Sequence, residues 1–270
     1  MDFNKVLFVS QEISPYLPDS PLAKVGQFLP QRVQEAGYEV RTFMPKYGCI
    51  NERRNQLHEV IRLSGVNVVI DDTDHPLIIK VATLQPARLQ VYFIFNDDYF
   101  SRNICKTLET TTSPDDNDER SIFFVRGVFE TVKKLRWNPD IVHCAGWISA
   151  LTTIYLKKVY NEDPAFRDTK VVYSICDDDM PAALDARMAE KMQADGIDAE
   201  SLKEIQGKAV DFKALTMLAI ANSDGVMLRS ENVDPEIMQF IKDSGKPFLV
   251  NNTPGEEVNA QPYVDFYKSL

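Results

Sequence analysis

Residues 5–26 read KVLFVSQEISPYLPDSPLAKVG, an apolar run, a polar loop and a helix start in that order. Lys5–Ser10 is a buried-looking run of strand length. Ser20-Pro21 then opens a helix, with serine as N-cap and proline at the first helical position, where its missing N–H is no loss. Leu22, Val25, Leu29, Val33 and Ala36 fall on one helical face, and Gly37 stands where such a helix stops. A second strand is expected at 39–44, ending at Pro45. A strand, a crossover helix and a second strand make the unit from which parallel sheets grow.

The rest of the chain extends that pattern. Strands are expected at 58–63, 66–70, 77–83 and 90–95, close enough together to form hairpins or lengthen a sheet edge. An acidic, Thr-rich loop at 108–118 leads into a helix over 119–136. A buried strand follows at 140–144 (DIVHC), a helix at 147–160 and a strand at 170–175. Residues 179–220 read as helix throughout, broken near Gly196 and Gly207. Strands at 225–228 and 247–251 and helices at 235–243 and 259–270 complete the chain. The expected class is α/β: a doubly wound, Rossmann-like, mostly parallel sheet with a strand-rich insertion at about 50–96. No linker rich in Pro, Gly or Ser interrupts it, so 1–270 is expected to be one domain.

Composition sets outer limits. The chain has 270 residues, 30 Lys+Arg against 40 Asp+Glu and a net charge of -10, with 44% hydrophobic residues. That is an ordinary globular composition, and its acidity argues against non-specific nucleic-acid binding. No apolar run reaches the ~20 residues of a membrane span. The first ten residues carry Asp2 and Lys5 and do not read as a signal peptide, so a cytoplasmic protein is expected. Cys49, Cys105, Cys144 and Cys176 are far apart, without metal-ligand spacing, and reduced thiols are expected.

In doubly wound sheets ligands bind outside the carboxyl ends of the strands. The loops after Ser10, Cys144 and Ile175 are therefore the candidate site. Nucleotide-binding folds place glycines in the first of these, so that backbone N–H groups reach a pyrophosphate. Here no glycine precedes Gly26, Pro18 and Pro21 lack an N–H, and Asp19 repels phosphate. The loop therefore argues against a dinucleotide dehydrogenase.

Several short motifs occur in a telling order. Glu12 and Pro15 are followed by Leu22, Ala23 and Val25, then Leu29-Pro30, Gly37, Val40-Arg41, Pro45 and Tyr47-Gly48. Further on come Asp116, Asn117, Arg120, Phe123, Phe124 and Arg126, then Pro139, Asp140, Ile141, Val142, His143 and Trp147. Gly207, Lys208, Phe212, Lys213 and Ala214 follow, and after them Ala221, Asp224, Val226 and Ser230. Over residues 5–237 this set resembles the N-terminal half of bacterial glycogen synthases and plant starch synthases. The resemblance implies a GT-B-type N-terminal domain related to retaining glucosyltransferases, and a sugar nucleotide or an α-glucan as ligand.

The departures from that family fall on its chemistry. Its Lys-x-Gly-Gly, which meets the donor's phosphates and sugar, aligns with Pro18, Asp19, Ser20 and Pro21. The His and Asp of its H-x-H-D-W align with Ala145 and Gly146, and its T-I-H-N with Ser174, Ile175, Cys176 and Asp177. A departing diphosphate needs cationic or N–H stabilisation, and those groups are missing. The expectation is a stand-alone, catalytically inactive relative with a binding or regulatory role. Half of a split glucosyltransferase and a purely structural interaction module are the alternatives. No residue is given a catalytic role, and no metal or cofactor is expected.

The candidate cleft residues are Asp19, Ser20, His143, Cys144, Trp147, Cys176 and Asp177. Plainer readings stand beside them: His143 as a satisfied core histidine, Trp147 as packing, and Asp177-Asp178-Asp179 as acids welcomed at a helix start. Reverting Ala145→His and Gly146→Asp is expected to be tolerated or mildly destabilising. The mouth of the cleft is expected to be covered by residues 179–206, whose Met180, Leu184, Met188, Met192, Ile197, Leu202 and Ile205 have mostly helical spacing, or by a homodimer contact or a separate partner chain.

Overall fold

The computed structural model describes residues 3–102, 115–177, 180 and 182–270. Among them the strands are β1 (Lys5–Ser10), β2 (Glu39–Pro45), β3 (His58–Glu59), β4 (Val66–Ile70), β5 (Thr73–Leu84), β6 (Leu89–Phe95), β7 (Ile141–Ala145), β8 (Lys170–Ile175), β9 (Gly225–Leu228) and β10 (Phe248–Val250). The helices are α1 (Pro21–Glu35), α2 (Asp97–Phe100), α3 (Asn117–Leu135), α4 (Thr152–Lys158), α5 (Met188–Ala194), α6 (Phe212–Ala221), α7 (Pro235–Ser244) and α8 (Ala260–Lys268).

The strands join in the order β10-β9-β8-β7-β1-β2-β6-β5-β3, with β4 paired to β5. From β10 to β6 every neighbour is parallel, while β5 runs antiparallel to β6, and β3 and β4 run antiparallel to β5. The strand-rich stretch thus forms hairpins, β4–β5 and β5–β6, and through β6 lengthens the edge of the main sheet. Alternation along β1 shows how two layers form. Val6 and Phe8 pack toward α1 and α8 with Val25, Leu29, Tyr263 and Tyr267. Leu7 and Val9 point the other way, into a core shared with Phe123, Ile154 and Leu215. Side chains of a strand alternate faces, so a sheet covered by helices on both sides must be apolar at every position.

The start of α1 follows the sequence closely. Ser20 is the N-cap, its Oγ accepting from the Ala23 N–H at 2.9 Å, and Pro21 takes the first turn. Gly37, with φ +97°, ends the helix.

Some expectations are corrected. The strand expected at 58–63 is only His58–Glu59, because the chain turns at once, with the Leu63 and Ser64 N–H groups both bonded to the Val60 carbonyl, and Ile61 is left exposed. The helix expected over 147–160 begins as a 3-10 turn at Trp147–Ser149 before α4. The long helical stretch expected at 179–220 is a chain of short pieces. Leu184 bridges Val210 as an isolated β-bridge, α5 is one short helix and Glu200–Leu202 a single 3-10 turn, before α6. Nor do the described residues of this stretch cover a cleft. Met188, Met192, Ile197, Leu202 and Ile205 are buried in the main core. Cys49 is disulfide-bonded, against the reduced-thiol expectation, whereas Cys144 and Cys176 form no disulfide. Cys105, most of the 108–118 loop, Asp178 and Asp179 lie outside the described residues. No helix among the described residues is long and apolar enough to cross a membrane.

Candidate functional site

A cavity of about 520 Å3 opens at the carboxyl ends of the parallel strands. Its walls come from the loop after β1 with the first turns of α1 (Asp19–Val25), from Cys176-Asp177 after β8, from Arg229, Glu231 and Asn232 after β9, and from residues 252–256 after β10. This is where doubly wound sheets place ligands, and its size is that of an ordinary small-molecule site.

The α1 end of the cavity is built from side chains that bind one another. Ser20 Oγ both caps the helix and donates to the buried Glu12 carboxylate at 2.5 Å. Ser14 Oγ donates to Asp19 Oδ1 at 2.8 Å, holding a carboxylate at the helix mouth. Lys24 pairs with Glu256. Across the cavity the Arg229 guanidinium donates to the Thr253 carbonyl at 2.6 Å and to the Tyr263 hydroxyl. Asn252 Nδ2 donates to Glu231 Oε1 at 3.1 Å. The floor near Cys176 is apolar, where its thiol packs with Leu22 and Ala145.

Of the expected cleft residues, Asp19, Ser20, Cys176 and Asp177 line this cavity. His143, Cys144 and Trp147 do not, and the strand pleat explains the first two. His143 shares a face with Ile141 and meets α8: its Nδ1 lies 2.6 Å from the Tyr267 hydroxyl and its Nε2 2.6 Å from the Ser174 hydroxyl. Both ring nitrogens are satisfied inside the core. Burial, helped by the Arg229 charge, holds its pKa down at about 3, so the ring is neutral. Cys144 points to the opposite face, where its thiol donates to the Val172 carbonyl and burial pushes its pKa up. Trp147 is buried in the main core, so its ring presents no surface for a sugar. Among the described residues no group of three or more His, Cys, Asp or Glu is arranged to hold a metal ion.

Residues not singled out from sequence make half of the site: Lys24, Arg229, Glu231, Asn232 and residues 252–256. Arg229 stands directly after the last residue of β9, which is the one signal that points to it. Nothing local marks 252–256, because its role depends on where the chain folds back.

Gly146 has φ +92°, and a Cβ there would sit 2.4 Å from Gln11 Cβ. The expectation that Gly146→Asp is tolerated is therefore withdrawn: both the backbone and the space require glycine.

The family model described as "Starch synthase catalytic domain" matches residues 5–246. The chain belongs to the starch synthase catalytic domain family. Among its relatives, the glycogen synthases of Pelodictyon phaeoclathratiforme and Chlorobaculum tepidum are each 41% identical over 172 residues, 63% of this chain and 35% of the relative. The glycogen synthase of Chlorobium luteolum is 39% identical over 189 residues, 70% of this chain and 39% of the relative. The chain thus spans little more than a third of the length of these relatives. Among solved structures, the catalytic domain of Starch Synthase IV from Arabidopsis thaliana, bound to ADP and acarbose, superposes with a TM-score of 0.72 at 19% identity. The match covers 93% of this chain and 51% of that one. At that identity the likeness establishes the fold alone, a mostly parallel α/β sheet of the starch synthase GT-B type.

Proposed function

We propose that this starch synthase family chain transfers no glucose and instead binds a neutral α-glucan fragment, in a binding or regulatory role. One observation carries the reading: the charge around the cavity. Asp19, Asp177, Glu231 and Glu256 line it against Lys24 and Arg229, and Lys24 is already paired with Glu256. A sugar diphosphate entering there meets more carboxylate than cation, and repulsion in a partly enclosed site is weakly screened. The helix mouth offers little relief, since Asp19 stands at it, Pro21 has no N–H and the Ala23 N–H is taken by Ser20. Neutral hydroxyl groups meet no such penalty. Carboxylates accept from them, while the amides of Asn232 and Asn252 can do either.

A split glucosyltransferase, with the donor-binding domain on another chain, would still have to stabilise the departing diphosphate from this side. The same charge balance opposes it. The test is glucosyl transfer. Chain purified from a host lacking its own synthase is incubated with labelled ADP-glucose or UDP-glucose and glycogen. Incorporation no higher than the blank is expected; turnover that survives repurification contradicts the reading.

A further inference from the structure

Among the described residues the sheet ends at β10, whose one neighbour is β9. The Val226 N–H donates to the Pro247 carbonyl, and the Asn251 N–H to the Leu228 carbonyl. Along a paired strand the backbone groups of alternate residues turn inward and outward. Those of residues 247, 249 and 251 therefore turn to β9, and those of Phe248 and Val250 turn to the open edge. The same two residues carry exposed apolar side chains, Phe248 at 42% and Val250 at 56% of full exposure. They share a face with Val226 and Leu228, the face that α7 covers with Ile237 and Ile241. Leu249 packs on the other face. Sheet edges are ordinarily guarded by charges, by proline or by a covering element. Residues 247–252, PFLVNN, hold no charge. Pro247 removes an N–H on the β9 side, so both outward donors survive. At the other end of the sheet, by contrast, exposed Val69 in β4 has its carbonyl bonded by the Arg126 guanidinium.

We propose that β10 is a dimer edge, pairing antiparallel with β10 of a second copy of this chain about a two-fold axis at Leu249. The register follows from which backbone groups face outward. With Leu249 opposite the partner's Leu249, each Phe248 stands opposite the partner's Val250. The two Phe248–Val250 pairs exchange four N–H···O=C bonds, and each sets an aromatic beside a β-branched side chain on one face. Charge selects the same orientation. At the amino ends of β9 and β10, Lys157, Lys170, Lys242 and Lys246 outnumber Asp224 and Asp243. The carboxyl end adjoins the cavity, where Asp19, Asp177, Glu231 and Glu256 outnumber Lys24 and Arg229. An antiparallel pair turns each positive end toward the partner's negative end. The contact is isologous, so two copies satisfy it and leave no open β10 edge for a third. A strand this short makes a small interface, and the dimer should dissociate on dilution.

Light scattering during gel filtration, over a concentration series, should show an average mass that rises toward that of two chains. Val250→Pro removes an outward N–H and keeps an apolar side chain, while Phe248→Lys places a charge on the edge. Each should weaken the dimer about tenfold or more while the far-UV circular dichroism stays that of wild type. Cysteine variants read the register. Under mild oxidation Leu249→Cys should link two chains, since that residue faces its own copy across the axis. Phe248→Cys should not, because its two copies lie farther apart than the ~7 Å a disulfide spans. Both variants carry the same native cysteines, so the difference reads position alone. A wild type that stays monomeric up to its solubility limit would overturn the proposal and leave the edge to a strand of another protein. A dimer that Val250→Pro and Phe248→Lys leave intact, or equal cross-linking of the two cysteine variants, would overturn it by placing the contact elsewhere.

Discussion

His143 illustrates how one residue type serves two readings. In the sequence it begins the family's His-containing motif; in the fold it is a neutral ring bonded to Tyr267 and Ser174. The consequence for stability has a definite sign. The folded pKa, about 3, lies below the ordinary 6.5, so the unfolded chain binds the extra proton between those values. Stability from this site is full above about pH 6.5 and is lost as pH falls toward 3. At pH 5 the loss is about 2 kcal/mol, at 1.36 kcal/mol per pH unit. Urea titrations of wild type and His143→Asn at pH 7.5 and pH 5 should show a smaller pH effect in the variant; equal slopes would contradict the assignment. Gly146 gives a second expectation. The pair Ala145→His and Gly146→Asp should restore no transfer and should lower stability by at least about 1–3 kcal/mol, the cost of strained backbone. A midpoint of denaturation equal to wild type would show that the loop relaxes around Gln11. At this scale sequence reading reached Asp19 and Ser20 because they stand in a recognisable loop. It placed His143 and Cys144 near the cleft because only the sheet's neighbours show which face of a strand is occupied.

At the scale of elements, the clearest case is α5. Its Met188 and Met192 have the spacing of either a lid or a core helix, and periodicity does not distinguish the two. What decides is polar. Lys191, almost wholly buried, lies 2.7 Å from Asp118 Oδ2 and 2.6 Å from Glu119 Oε1 at the start of α3. Burial pushes the Asp118 carboxyl up; burial also opposes the charge on Lys191, but its bonds to the two carboxylates outweigh that and hold its pKa high. Lys191→Met removes the cation and strands a fully buried carboxylate, at a cost of about 3–5 kcal/mol. A chemical-denaturation loss under ~1 kcal/mol would mean that water reaches Asp118. The strands β1, β2, β4, β8 and β9 were legible in sequence to within a residue, since each is an uninterrupted apolar or alternating run bounded by turn residues. The strand expected at 58–63 was not, because Val60–Leu63 is apolar enough for a strand and the turn is made by backbone bonds that leave no mark in composition.

The whole molecule is a starch synthase family sheet with a cavity at the carboxyl ends of its parallel strands. Order of motifs gave the fold, because each motif is a structural joint: a cap, a strand end, a helix turn. The cavity was only half legible, since residues 252–256 reach it through the return of the chain over α1 and only its place after β9 marks Arg229. What the lining implies for binding is open to a direct measurement. Isothermal titration of maltotriose and of ADP-glucose into the same preparation compares a neutral saccharide with a sugar diphosphate at one cavity. The account predicts heat from maltotriose that is insensitive to salt and none from ADP-glucose at the same concentrations. Saturable binding of ADP-glucose that weakens as salt is raised would contradict it, because it would show an anion held where Asp19, Asp177, Glu231 and Glu256 outnumber the cations.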